Sequence, residues 1–280
     1  MSNVRHRNDL RTPFRVAGAF LLVAVYGWCA AQAADSITLR TENLYGVDVH
    51  IQYPVAVGPD AAALNLIIQR WIGGSCNESP VIRNTYMERM TYHGPKDCLT
   101  ALSRACAALQ AGAGRTALAM GRCQAEITAK AELNTAGMLV ISLYNFGLAA
   151  RGFLGTSNES EHTEYLNLDI ATGRILGLGD LLKPSYSAAL QRMIVRSLRA
   201  QSHVAGGETL TPAGFLTKAP PIPAAMEILR EGLKFSYRAG EITGRSVAPP
   251  NVVVSYKELA SLIPADSPLQ RLLDTPPDLH

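Results

Sequence analysis

The chain reads as an α+β protein: an antiparallel or mixed sheet with helices packed on one face, in two subdomains, with a disulfide-linked N-terminal half. Three observations predict this. Stretches with the period-two alternation of strands are interleaved with stretches of helical period. Four cysteines, Cys76, Cys98, Cys106 and Cys123, fall within one N-terminal block. Residues 139–143 are almost continuously apolar, as in a strand covered on both faces.

Residues 1–33 read as a secretory signal. Arg5, Arg7, Arg11 and Arg15 form a basic start, an apolar run follows to Ala30, and Ala31-Gln32-Ala33 supplies small residues for cleavage. Cys29 is a poor lipid acceptor, because bulky Tyr26 and Trp28 precede it. The whole chain carries 26 basic and 23 acidic side chains, but the leader holds four Arg and one Asp, so the remainder is balanced at 22 of each. That balance argues against nucleic acid as a partner. No later apolar run approaches the ~18 residues of a membrane span. The expected location is periplasmic or secreted.

The elements follow in order. Residues 37–43 and 47–53 alternate as paired strands. Residues 61–71 are helical, with Leu64, Ile67, Ile68, Trp71 and Ile72 on one face, and Gly73-Gly74 is expected to end the helix. Residues 77–96 are polar and read as a loop or irregular helix. A second helix is predicted over 97–112, with Leu99, Leu102, Cys106 and Leu109 in one stripe. Within it Cys98 and Cys106 stand ~12 Å apart at ~1.5 Å per residue. A disulfide needs Cα atoms within about 7 Å, so these two cannot pair. Two connectivities survive; Cys76–Cys98 with Cys106–Cys123 is preferred because it closes the shorter loops. A zinc site lacks any C-x-x-C pair.

Strands are predicted at 124–133 and 138–146, joined by Asn134-Thr135-Ala136-Gly137. A Gly-rich loop is expected over 147–158. Next comes YLNLDIATGRILGLGDLL, residues 165–182: a strand, an Ala171-Thr172-Gly173 turn, a short return and a helix entry at Asp180. A helix over 186–200, a long loop over 202–224, two strands within 226–237, a strand at 251–255 and a final short helix from Tyr256 complete the pattern. Residues 264–280 carry four prolines and read as a loosely ordered tail.

The D-x-x-T-G strand and turn within 165–182, the Gly-Leu-x-Phe-x-Tyr run at 232–237, and the Val-rich strand followed by Tyr-x-x-Leu resemble, in that order, the C-terminal domain of RsiV-like anti-sigma factors over residues 138–263. The block 53–72, YPVAVGPDAAALNLIIQRWI, is similar to the N-terminal domain of PdaC-type proteins, placed here at 34–137. The resemblance implies an extracytoplasmic protein that binds cell-wall hydrolases such as lysozyme. Relatives usually carry a Gly-Gly-Ala-His-Gly-like turn before the D-x-x-T-G strand. Here that region reads RGFLGTSNESEHTEY, with Gly152, Gly155 and His162 but no compact turn.

His162 and Glu164, two apart on a predicted strand, share a face and are the one pair suited to proton transfer or metal ligation, with Glu161 beside them. A solvated acidic loop leading into a strand is the preferred account of them. No nucleophile elbow, metalloprotease helix, P-loop or dinucleotide fingerprint occurs. Asp169 and Asp180 are read as turn and helix caps. Phe153, flanked by Gly152 and near Gly155, is the aromatic expected to be exposed for a partner. The expectation is a non-catalytic binding protein of the cell envelope, without cofactor or metal. Its partner is a lysozyme-like hydrolase or peptidoglycan, met through Phe153, Glu161, His162 and Glu164. The alternative is an envelope hydrolase built on His162 and Glu164.

Overall fold

Two hydrophobic cores sit back to back on β4 (Met138–Ala150), whose alternating side chains feed both. Leu139, Ile141 and Leu143 enter the first core; Met138 and Val140 enter the second. This is the physical content of the apolar run at 139–141: where both faces of a strand are covered, the polar alternation is lost, and it returns at Ser142. The computed structural model describes residues 36–59, 61–79, 81–82, 90–112, 123–150, 157–204, 210–244 and 248–275; of residues 112, 148–150, 157–162 and 212 only the backbone is described.

The large sheet has the order β1-β2-β3-β4-β5, with β1 Thr38–Gly46, β2 Val49–Val57, β3 Gln124–Thr135 and β5 Ser157–Asp169. Neighbours are antiparallel except β2 and β3, which pair in parallel over four residues, so the sheet is mixed. A parallel pair needs a crossover, and two helices supply it: α1 (Ala61–Ser75) and α2 (Pro95–Gly112). Both pack on one face, where Leu64, Ile68, Ile72 and Leu102 meet Ile51, Ile127 and Ile141.

The disulfides are Cys76–Cys98 and Cys106–Cys123, with Cα separations of 5.7 and 5.3 Å. The preferred connectivity of the two therefore holds. One bridge ties the end of α1 to the start of α2; the other ties α2 to the residue before β3.

The second core lies under the other face. A small sheet of β6 (Ala225–Ile228), β7 (Gly232–Ser236) and β8 (Asn251–Ser255) joins the helices α3 (Leu178–Leu181), α4 (Tyr186–Gln201), α5 (Tyr256–Leu259) and α6 (Leu269–Asp274) there. Ser255 and Glu258 form a reciprocal cap that starts α5.

Three expectations need correction. Gly73-Gly74 does not stop α1, which continues to Ser75. A Cβ at Gly73 would stand 2.4 Å from the Tyr92 carbonyl oxygen, so that glycine permits a close backbone approach. The loop expected over 147–158 is strand at both ends, because β4 runs to Ala150 and β5 begins at Ser157; residues 151–156 lie outside the described residues. The tail from Pro264 is packed in its described part: Leu269 and Leu272 are buried in the second core, and the Ser267 hydroxyl donates to the Leu181 carbonyl at 2.8 Å. Ala136-Gly137 forms the two-residue turn between β3 and β4. Ala136 and Gly137 there take φ of 52° and 71°, the left-handed pair that suits a tight hairpin.

Candidate functional site

The second core covers only part of its face of the large sheet. Toward one end of β3, β4 and β5 the described residues leave the face open, and its outward positions there are polar. β3 contributes Glu126, Thr128 and Lys130 at alternate residues; β4 adds Ser142 and Tyr144; β5 adds Thr163 and Tyr165. The small sheet forms a wall through Glu227 and Lys234, closing a groove of ≈ 510 Å³.

A β-bulge completes the floor. Register slips between Ala131 and Leu133, leaving Glu132 as the extra residue. Glu132 continues the alternation of Glu126, Thr128 and Lys130 and lines the groove, where it accepts from the Ser142 hydroxyl at 2.5 Å, while the bulge re-aims Leu133 into the second core. Glu126 accepts from Thr128 at 2.9 Å.

The wall is charged and internally paired. Lys234 donates to Glu227 at 2.8 Å, and the Glu227 side chain is only 5% exposed. The Lys234 ammonium also lies 5.4 Å from the Tyr165 ring centroid. Burial works against the charge on Lys234, but Glu227 and Tyr165 outweigh it and hold the group above its ordinary value. The Tyr165 hydroxyl meets Ser236 Oγ at 3.3 Å, so the ring is fixed from both ends.

Tyr165 is shared with a second groove of ≈ 370 Å³, formed with Asn167, Leu176, Gly177, Tyr186, Ile222 and Met226 among others. The 165–182 segment thus lines a surface as well as building a turn. Its acidic residues are structural. Asp169 accepts from the Thr172 amide at 3.0 Å, from the Thr172 hydroxyl and from Arg271. Asp180 accepts from the Gly177 amide at 2.8 Å and pairs with Arg174.

The residues singled out from the sequence are placed differently. Glu164 lies on the helix-bearing face with Leu166 and Leu168, opposite the groove. The Ser75 hydroxyl donates to it at 2.5 Å, and Arg238 stands 4.0 Å away. The backbones of Glu161 and His162 lie on β5, in register with Phe146 and Asn145; their side chains, and all of Phe153, lie outside the described residues. Among the described residues no group of three His, Cys, Asp or Glu is arranged to hold a metal ion.

The groove residues were legible as the polar half of the alternation in 124–130, Q-A-E-I-T-A-K. What the alternation could not say was that the small sheet stands beside them. The arrangement supplies carboxylate acceptors, hydroxyls that donate and accept, and a positioned aromatic ring, which is the chemistry of binding a polar ligand.

No family model matches the sequence, and no curated protein matches it. Solved structures do share its fold. A DUF3298 family member from Bacteroides fragilis superposes with a TM-score of 0.62 at 17% identity, over 86% of this chain and 100% of that one. A DUF3298 family protein from Pseudomonas aeruginosa PAO1 gives 0.51 at 16% identity, over 84% and 96%. At such identities the likeness is one of fold.

Proposed function

We propose that the protein is an exported, non-catalytic binding protein of the bacterial cell envelope that takes peptidoglycan in the groove at Tyr165. The carrying observation is that groove: a concave sheet face, walled by Glu227 and Lys234, with a fixed aromatic ring at its lip. Support for export comes from the leader-like residues 1–33 and from two disulfides, which persist in oxidising compartments. Among the described residues no helix is long and apolar enough to cross a membrane. The similarity of residues 138–263 to RsiV-like domains, and of 53–72 to PdaC-type proteins, fits an envelope role.

The groove, rather than the Phe153 region, is the surface we assign. Co-sedimentation of the mature, oxidised chain with purified sacculi tests it. Binding that falls about tenfold in Tyr165→Ala and is unchanged in Phe153→Ala is the expected result. Capture by immobilised lysozyme that is indifferent to Tyr165 but lost in Phe153→Ala would overturn it in favour of a protein partner. Release of soluble fragments from sacculi, abolished by Glu164→Gln, would point instead to a hydrolase.

A further inference from the structure

The groove's polarity and backbone state identify which part of a wall polymer it fits. We infer that its occupant is a glycan strand, an uncharged chain of N-acetylated sugars lying across Tyr165; this rests on the groove reading above.

Charge comes first. Lys234 is neutralised by Glu227 at 2.8 Å. The remaining charges, Glu126, Lys130 and Glu132, alternate in sign along β3. No single-sign field exists there to attract a polyanion or a polycation, so the complementary ligand is a neutral one.

Hydrogen-bonding capacity comes second. The floor is the face of a sheet: the backbone groups of β4 are taken up in ladders with β3 and β5, and those of the edge strand β5 lie in the plane of the sheet rather than on its face. An extended peptide is held chiefly by main-chain bonds at a sheet edge, and this face offers none. It offers hydroxyls and carboxylates instead. Ser142 is the direct cross-strand neighbour of both Lys130 and Tyr165, and such neighbours stand about 5 Å apart. A polyol presents donors and acceptors to such a grid without needing a strand edge.

Shape comes third. The two grooves, ≈ 510 and ≈ 370 Å³, meet at Tyr165. The first is walled by charged and hydroxyl groups; the second brings Ile222, Pro223 and Met226 beside Tyr186. A chain that carries ring hydroxyls and periodic acetyl methyls has a place for each. The Tyr165 ring, already held by Ser236 and Lys234, loses little freedom when a sugar face stacks on it.

Calorimetric titration of the mature, oxidised chain with an N-acetylglucosamine hexamer, a cellulose hexamer and a synthetic stem pentapeptide tests this. Saturable binding of the acetylated hexamer, tighter than the cellulose hexamer and weakened about tenfold or more by Tyr165→Ala, is expected. Glu132→Gln, an exposed change, serves as the second variant if Tyr165→Ala fails to melt cooperatively, and it should weaken binding severalfold. Equal affinity for both sugars would overturn the acetyl assignment. Tyr165-dependent binding of sacculi or of the pentapeptide, without binding of either sugar, would overturn the glycan and leave the groove as the site. Sacculus binding that ignores both variants would overturn the groove itself.

Discussion

Asn167 and Met226 join the two sheets through a single side chain. The Asn167 amide donates to the Met226 carbonyl at 2.8 Å, and its oxygen accepts from the Ile228 amide at 3.1 Å. Asn167 thereby gives the edge of β6 the two bonds that a neighbouring strand would supply. All three residues are buried, so neither backbone group has water as a substitute. This contact holds the small sheet against β5 and so sets the wall of the groove.

Asn167→Leu keeps the volume and removes both bonds, leaving a carbonyl and an amide buried. At roughly 1–3 kcal/mol per unsatisfied group, the two together should cost the chain about 2–6 kcal/mol in urea unfolding. Asn167→Ala adds a cavity and should cost more. A loss below about 0.5 kcal/mol would mean the sheets are held by apolar packing alone.

Asp169 and Arg271 tie the D-x-x-T-G turn to α6. Burial raises the Asp169 pKa, but bonds from Arg271 and Thr172 outweigh it, and the net shift is downward from 3.8. The sign follows: a depressed carboxylate stabilises the fold fully above its unfolded value and loses that contribution as pH falls through the folded one. Asp169→Asn should therefore cost roughly 1.5–3 kcal/mol near neutral pH. The gap from wild type should narrow as pH drops below about 4, read from chemical denaturation across pH.

Adjacent glycines in α1 predict opposite outcomes. At Gly73 an added Cβ meets the Tyr92 carbonyl oxygen at 2.4 Å and the Gly94 amide at 2.9 Å; at Gly74 it meets nothing within 4 Å. Gly74→Ala should raise the melting temperature, gaining up to about 1 kcal/mol of helix propensity. Gly73→Ala should lower it by more than that gain, because the backbone of the 92–94 segment must move. Thermal melts of the two variants give the comparison directly.

The disulfides close segments of 22 and 17 residues. Each double Cys→Ala variant should cost roughly 3 kcal/mol. Peptide mapping without reduction should recover Cys76 with Cys98 and Cys106 with Cys123; a Cys76–Cys106 peptide would contradict the fold around α2.

Much of the element order could be read from local chemistry. The helix at Pro95–Gly112 follows from its apolar stripe, and its rise per residue by itself excludes a Cys98–Cys106 bridge. The Thr172-Gly173 turn follows from an Asp side chain and a glycine at φ 66°. Misreadings arose where a residue answers to a distant neighbour. Gly73 looked like a helix stop, but its reason is Tyr92. The prolines after 263 looked like a loose tail, yet Leu269, Leu272 and Arg271 are anchored to partners as far as 102 residues away.

The sequence by itself determined the fold class, the cysteine framework, the paired strands and the chemistry of the turns, because period, spacing and turn residues act over a few positions. Tertiary structure alone decided that β4 serves two cores, that Asn167 links two sheets and that a bulge turns Leu133 into the second core. It also decided that Tyr165 stands at a groove, whereas Glu164 points to the opposite face. A face of alternating polar residues reads as solvent-facing until another element stands beside it. The small sheet that does so here begins only at Ala225, far along the chain from the end of β5 at Asp169 and beyond the reach of any local pattern.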